Sequence, residues 1–278
     1  MSDKIFDQML SRYEIITEND YRNALHEIMQ EIALAGLYRG GFFDKAAFYG
    51  GTALRIFYKI DRFSEDLDFS LLKREHGFNI EKYFKHIENE FNALGRDILI
   101  VKKEKTTITK IESAFLKDNS QIYDIKLGLQ PNIKIKIEVD TDPPGKFNTE
   151  QKFILLPFSF MTRCFTLPDL FAGKMHAFLF RSWKNRVKGR DWYDFEWYIR
   201  NNTDLNFEHF CERAKQFSNN PSIPLDKASF KNLLKEKIRD TDINLVKQDL
   251  LPFIKSPKDL QIWSTDYFLQ LVDLIKFL

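Results

Sequence analysis

Apolar residues recur at helical spacing over residues 21–35, where Leu25, Ile28, Met29 and Ile32 share one side, and roughly the first 35 residues read as helical. Ala46, Ala47, Phe48 and Tyr49 then predict a short buried strand that ends at Gly50 and Gly51. A helix follows over 52–58, with Leu54 and Tyr58 on one side. Leu67, Phe69 and Leu71 alternate with Asp66, Asp68 and Ser70, the two-residue period of a half-buried strand. Residues 80–94 read as an amphipathic helix, and 98–111 and 121–129 as β-rich. The cleanest alternation is 133–140: its isoleucines and Val139 point one way, Lys134, Lys136, Glu138 and Asp140 the other.

Thr141-Asp142-Pro143-Pro144-Gly145 ends that strand. Beyond about residue 160 the pattern turns helical. Thr166-Leu167-Pro168-Asp169 predicts the start of a helix running to residue 183, 191–200 a second, and 206–278 several more. Ser256-Pro257-Lys258-Asp259 has the hydroxyl, early proline and acid of a helix N-terminus. The order predicts an α+β fold with a mixed sheet flanked by helices and a helical C-terminal part. The expected division is 1–160, which carries the sheet, and 161–278, which completes an active-site cleft.

Composition narrows the class. With 44% hydrophobic residues and 27 phenylalanines, the chain has ample material for a core. The 42 basic and 40 acidic residues nearly cancel, so net charge alone names no polyanionic partner. Cys164 and Cys211 form no CxxC pair and read as buried or idle thiols of a reducing compartment. No run approaches the roughly 20 apolar residues of a membrane span. The expectation is a soluble, cytoplasmic protein.

The chemistry concentrates at two places. Gly50 and Gly51, between a strand and a helix, present free amides and a positive helix end to an anion. Thr52 adds a hydroxyl and Arg55 a charge one turn later, and without a following lysine this is no P-loop. Asp66 and Asp68 project from one strand face with Cα atoms about 6.5 Å apart. That spacing lets both carboxylates ligate one Mg²⁺ and one of them bridge to a second, as in two-metal phosphoryl transfer; two solvated acids on an exposed strand are the alternative. Glu138 and Asp140 are both candidates for a third carboxylate, and Glu138 lies deeper in its strand. A plain charged ladder with Lys134 and Lys136 is the alternative.

Lys174 lies among Phe171, Ala172, Gly173 and Met175, suited to triphosphate oxygens if its ammonium reaches a cleft. Arg181, Lys184, Arg186, Lys188 and Arg190 form an acid-free run that fits a phosphate backbone or a solvated loop. Asp191 reads either as an N-cap or as a carboxylate orienting Lys174, with Asp194 one turn later. The five histidines show no metal-ligand spacing, and no serine-hydrolase elbow is present.

Taken in order, "GGTALR", "RFSEDLDFS", "IKIEVD", "LPDLFAGKMHAFLFR" and "KGRDWYDF" resemble the AbiEii-type nucleotidyltransferases, toxins of type IV toxin–antitoxin and abortive-infection systems within the DNA-polymerase-β-like superfamily. The resemblance spans about residues 48–198. It implies that Gly51 and Thr52 stand at the superfamily's Gly-Ser pair, Asp66 and Asp68 at its metal-binding acids, Lys174 at its triphosphate lysine and Asp191 at the acid of its last motif. The implied reaction moves a nucleotide monophosphate from an NTP to an acceptor hydroxyl with Mg²⁺ or Mn²⁺. The expected acceptor is RNA, foremost the tRNA 3′ end, which would block translation, with the basic run from Arg181 to Arg190 contacting it. An antitoxin encoded beside it is also expected. AMP transfer to protein and a non-catalytic nucleotide-binding module are the alternatives.

Overall fold

The computed structural model describes residues 2–75, 77–102, 120–127, 130–180, 187–218 and 226–278. These form two compact units that interleave along the chain. The first comprises residues 1–53, 65–143 and 149–164; the second comprises 54–64, 144–148 and 165–278.

The first unit opens with helices α1 (Ser2–Leu10) and α2 (Glu18–Arg39). Thr17 and Asp20 close a reciprocal capping box at the start of α2, satisfying amides that have no helical partner. Leu25, Ile28, Met29 and Ile32 are buried as expected. Burial extends round the helix to Glu27, Gln30 and Glu31, which marks α2 as an internal helix. Strand β1 (Ala46–Tyr49) runs straight into helix α3 (Gly50–Tyr58), and β2 (Asp66–Leu71) follows. A 3₁₀ turn at Ile80–Tyr83 leads into α4 (Phe84–Ala93), where the sequence predicts one helix.

Strands β3 (Ile98–Lys102), β4 (Ser120–Leu127), β5 (Gln130–Asp140), β6 (Thr149–Ile154) and β7 (Phe160–Phe165) complete the sheet. Residues 103–111, read as β-rich, lie outside the described residues. The seven strands stand in the order β3-β4-β5-β2-β1-β7-β6. β2 pairs antiparallel with β1 and parallel with β5, while β1 pairs parallel with β7, so the sheet is mixed. Phe48, Leu67, Phe69, Ile135, Ile137 and Val139 are fully buried. Burying that face commits the alternate residues of β2 and β5 to the other one.

The second unit is helical: α5 (Leu167–Phe180), α6 (Gly189–Arg200), α7 (Phe207–Ser218), α8 (Lys227–Arg239), α9 (Ile243–Leu250) and α10 (Thr265–Asp273). Its core is aromatic. Phe171 stacks on Tyr198 with centroids 4.4 Å apart, and Trp192 meets Phe268 edge-on at 4.7 Å. Two short parallel strands, β8 (Asp204–Leu205) and β9 (Lys276–Phe277), tie down the chain end.

Two helix starts differ from the sequence reading. α6 begins at Gly189 with Lys188 as its cap residue, so Asp191 sits inside the first turn and is not an N-cap. Ser256 to Asp259 starts only a 3₁₀ turn, Pro257–Leu260, and Ser256 makes no capping bond. α10 starts after Ser264, whose hydroxyl accepts from the Tyr267 amide.

Candidate active site

In the first unit, Gly50 to Thr52 and Asp66 to Asp68 meet at one tight junction. Gly50 has φ +84°, a left-handed conformation that favours glycine. A Cβ there would stand 2.5 Å from Asp68 Oδ2, so the position must lack a side chain for Asp68 to occupy its place. Tyr49 and Asp68 are directly paired across β1 and β2, which fixes this approach. The α3 start thus lies against the Asp68 carboxylate.

Thr52 is fully buried, and its hydroxyl donates to the Asp66 carbonyl. The expected phosphate-facing hydroxyl therefore fastens the start of α3 to the start of β2. It holds the Asp66 backbone.

The parallel register of β2 and β5 sets Asp66 opposite Lys136 and Asp68 opposite Glu138. Asp66, Asp68 and Glu138 consequently share the polar sheet face. Asp140 is one pair further along, opposite Ser70, and its Oδ1 accepts from the Asp142 amide in the turn. Of the two acids considered, Glu138 is the one beside Asp68.

The sequence pattern makes Lys136 one rung of a charged ladder, yet it sits within this group. Its Nζ donates to Glu138 Oε2 at 3.0 Å and lies 3.4 Å from Asp66 Oδ2. Burial pulls the ammonium's pKa down, but Glu138, Asp66 and Asp68 outweigh it and raise the pKa above the ordinary lysine value. Among the described residues, no three His, Cys, Asp or Glu side chains stand grouped as a metal site. The donor chemistry nevertheless suits a hard cation: three carboxylates share a face and have drawn in an ammonium.

The second unit carries a different cluster. Lys174, on α5, donates from Nζ to Asp191 Oδ1 at 2.8 Å and lies 2.8 Å from Asp194 Oδ2. Asp191 and Asp194 are neighbours one turn apart on α6. Gly189 opens that helix where a Cβ would fall 2.4 Å from the Val246 carbonyl oxygen, so α6 and α9 cross closely there. Asp194 also accepts two bonds from Arg62, Nε at 2.5 Å and Nη2 at 2.6 Å. Both partners are almost fully buried.

Burial alone would raise the Asp194 pKa, but Arg62 and Lys174 hold it below the ordinary aspartate value. The sequence reading gave Asp194 and Arg62 no role. Their signal was their place inside "RDWYD" and "RFSED", each beside a residue already singled out.

The remaining candidates behave differently. Arg55 turns its guanidinium to the Ile60 carbonyl at 3.0 Å and stacks near Phe63, so the expected phosphate charge bonds to its own loop. Arg181, Lys184 and Arg186 lie outside the described residues. Arg190 places its guanidinium 4.0 Å from the centre of the Phe253 ring. His26 bonds the Lys134 carbonyl and His209 the Gly145 carbonyl, both structural contacts. Burial raises the thiol pKa of both Cys164 and Cys211 above the ordinary cysteine value.

A family described as "Nucleotidyl transferase AbiEii toxin, Type IV TA system" matches residues 32–270, most of the chain. The chain belongs to the AbiEii nucleotidyltransferase toxin family. It is a nucleotidyltransferase of a type IV toxin–antitoxin system. Among solved structures it is similar to MenT4, a nucleotidyltransferase toxin from Mycobacterium tuberculosis H37Rv. That match has a TM-score of 0.51 and 14% identity over 98% of this chain and 87% of that one. A solved structure from H. pylori matches at 18% identity and TM-score 0.49, over 93% of this chain and 95% of that one. No curated protein matches.

The MenT4 likeness supports the α+β fold with its mixed sheet. AbiEii-type transferases generally use an NTP with a divalent metal, and the family implies a cognate antitoxin. No helix among the described residues is long and apolar enough to cross a membrane.

Proposed function

We propose that this AbiEii protein transfers a nucleotide monophosphate from an NTP to an RNA acceptor, foremost the tRNA 3′ end, and thereby blocks translation. The observation that carries the reading is the Asp66, Asp68 and Glu138 face beside the start of α3, with a cation already held in it. Asp66, Asp68 and Glu138 would hold Mg²⁺ or Mn²⁺. The bound metal would supply charge neutralisation at the phosphates and a lowered pKa for the acceptor hydroxyl.

The chain's own groups account for the rest. The Gly50 and Gly51 amides, at the positive end of α3, receive phosphate oxygens. Thr52 keeps Asp66 in place through its carbonyl. Lys174 offers its ammonium to the triphosphate, with Asp191 and Asp194 fixing its direction. The acceptor hydroxyl gives its proton to solvent as its oxygen bonds to the α-phosphorus, the bond to the bridging oxygen breaks, and pyrophosphate leaves. The run Arg181, Lys184, Arg186, Lys188 and Arg190 is the proposed RNA contact. A neighbouring gene would supply the antitoxin, and the work is done in the cytoplasm.

The test is a lysate incubated with each α-labelled NTP and Mg²⁺. Label in an RNase-sensitive, tRNA-sized product supports the reading. Label confined to protein identifies AMP transfer to a protein hydroxyl, and nucleotide binding without pyrophosphate identifies a regulatory module.

A further inference from the structure

We infer that Lys136 is a resident counter-ion of the acid face, which a divalent cation must displace, so that metal alone binds weakly and metal with nucleotide binds well. The inference rests on the proposed metal role of Asp66, Asp68 and Glu138. Two observations in the first unit carry it. The Lys136 ammonium contacts carboxylates from two strands, Glu138 Oε2 at 3.0 Å and Asp66 Oδ2 at 3.4 Å. The parallel register sets Lys136 directly opposite Asp66, so backbone pairing brings the two side chains alongside each other.

The charges explain the consequence. Three carboxylates would repel one another if left bare, and Lys136 offsets part of that repulsion in the nucleotide-free protein. A divalent ion drawn to the same oxygens meets a like charge a few ångströms away. Binding it requires the ammonium to leave a partly buried position where it has carboxylate partners. Lysine carries its charge on a flexible four-carbon stem, so it can swing clear without moving β5. The departing ammonium needs an anion, and the phosphates proposed to sit at the α3 start supply one on the same side as Asp68. Lys136 thereby couples metal and nucleotide binding, and the coupling is reciprocal.

The test measures Mn²⁺ binding by electron paramagnetic resonance on wild type, Lys136→Met, Lys136→Gln and Asp68→Ala, without nucleotide and then with a non-hydrolysable ATP analogue. Melting curves confirm that each variant is folded. Both Lys136 variants are expected to bind Mn²⁺ alone at least fivefold more tightly than wild type. The gain in Mn²⁺ affinity brought by the analogue is expected to shrink at least fivefold in them. Unchanged or weaker Mn²⁺ binding in both folded variants overturns the role of Lys136 while leaving the metal reading intact. Equal Mn²⁺ binding by wild type and Asp68→Ala, or none by any protein, overturns the metal reading and this inference with it.

Discussion

Asp194 accepts two hydrogen bonds from Arg62, at 2.5 and 2.6 Å, with both side chains almost wholly removed from water. The same carboxylate lies 2.8 Å from the Lys174 ammonium. One buried acid therefore fixes two cations, and Lys174 owes its direction to it as much as to Asp191. Asp194→Ala strands the Arg62 charge in the interior. It is expected to cost about 3–5 kcal/mol of unfolding free energy, measured by urea denaturation. A loss under about 1 kcal/mol would show the pair to be dispensable.

The same acid sets a pH dependence. Its pKa in the folded protein lies below the ordinary aspartate value of 3.8, so the unfolded chain binds the proton more readily. Asp194 thus contributes stability that is complete well above pH 4 and is lost as pH falls through and below the ordinary aspartate range. Asp194→Asn is expected to flatten that part of the acid-unfolding curve. Equal slopes for variant and wild type would assign acid lability to other groups.

Thr52 separates a positioning role from a phosphate-binding one. Its hydroxyl donates to the Asp66 carbonyl from a fully buried site. Thr52→Val is expected to lower stability by about 1–3 kcal/mol and to reduce kcat, with Thr52→Ser restoring both. A raised KM for NTP at unchanged stability would instead put the hydroxyl on the nucleotide.

Much of the candidate site was legible because its signals are local. The glycine pair that opens α3 and the alternation in β2 and β5 are readable from a few neighbouring residues each. Strand order was not, since the pairing of Asp68 with Glu138 joins segments far apart in sequence and nothing in either names the partner. Lys136 looked like one more solvated lysine of a ladder until the register set it opposite Asp66. Arg62 and Asp194 are 132 positions apart, and no periodicity marks a buried ion pair. Arg55 lay at the right helical offset for a phosphate, but its flexible side chain found a nearer acceptor at Ile60. The two-residue strands β8 and β9 are too short to show an alternation.

Gly50 is where backbone and chemistry meet most tightly. Gly50→Ala combines a left-handed φ with a Cβ placed 2.5 Å from Asp68 Oδ2. The expected outcome is a fold weakened by about 1–3 kcal/mol and NMP transfer reduced more than tenfold, checked by melting and by label incorporation. Full transfer activity in the variant would mean that Asp68 need not stand where it does.

Lys174→Ala removes the ammonium proposed to meet the triphosphate. A rise of about tenfold or more in KM for NTP is expected, the size of one lost charge-assisted contact. Unchanged KM and kcat would leave Lys174 as a structural partner of Asp191 and Asp194.

The central claim is that the Asp66, Asp68 and Glu138 face performs nucleotidyl transfer to RNA. Its most direct test incubates purified wild type and Asp68→Ala, both shown to be folded, with Mg²⁺, α-labelled NTPs and total tRNA, following label and pyrophosphate together. Wild type is expected to label tRNA and release one pyrophosphate per nucleotide added, while Asp68→Ala does neither. Equal labelling by the two proteins, or none by wild type with any NTP, would contradict the claim.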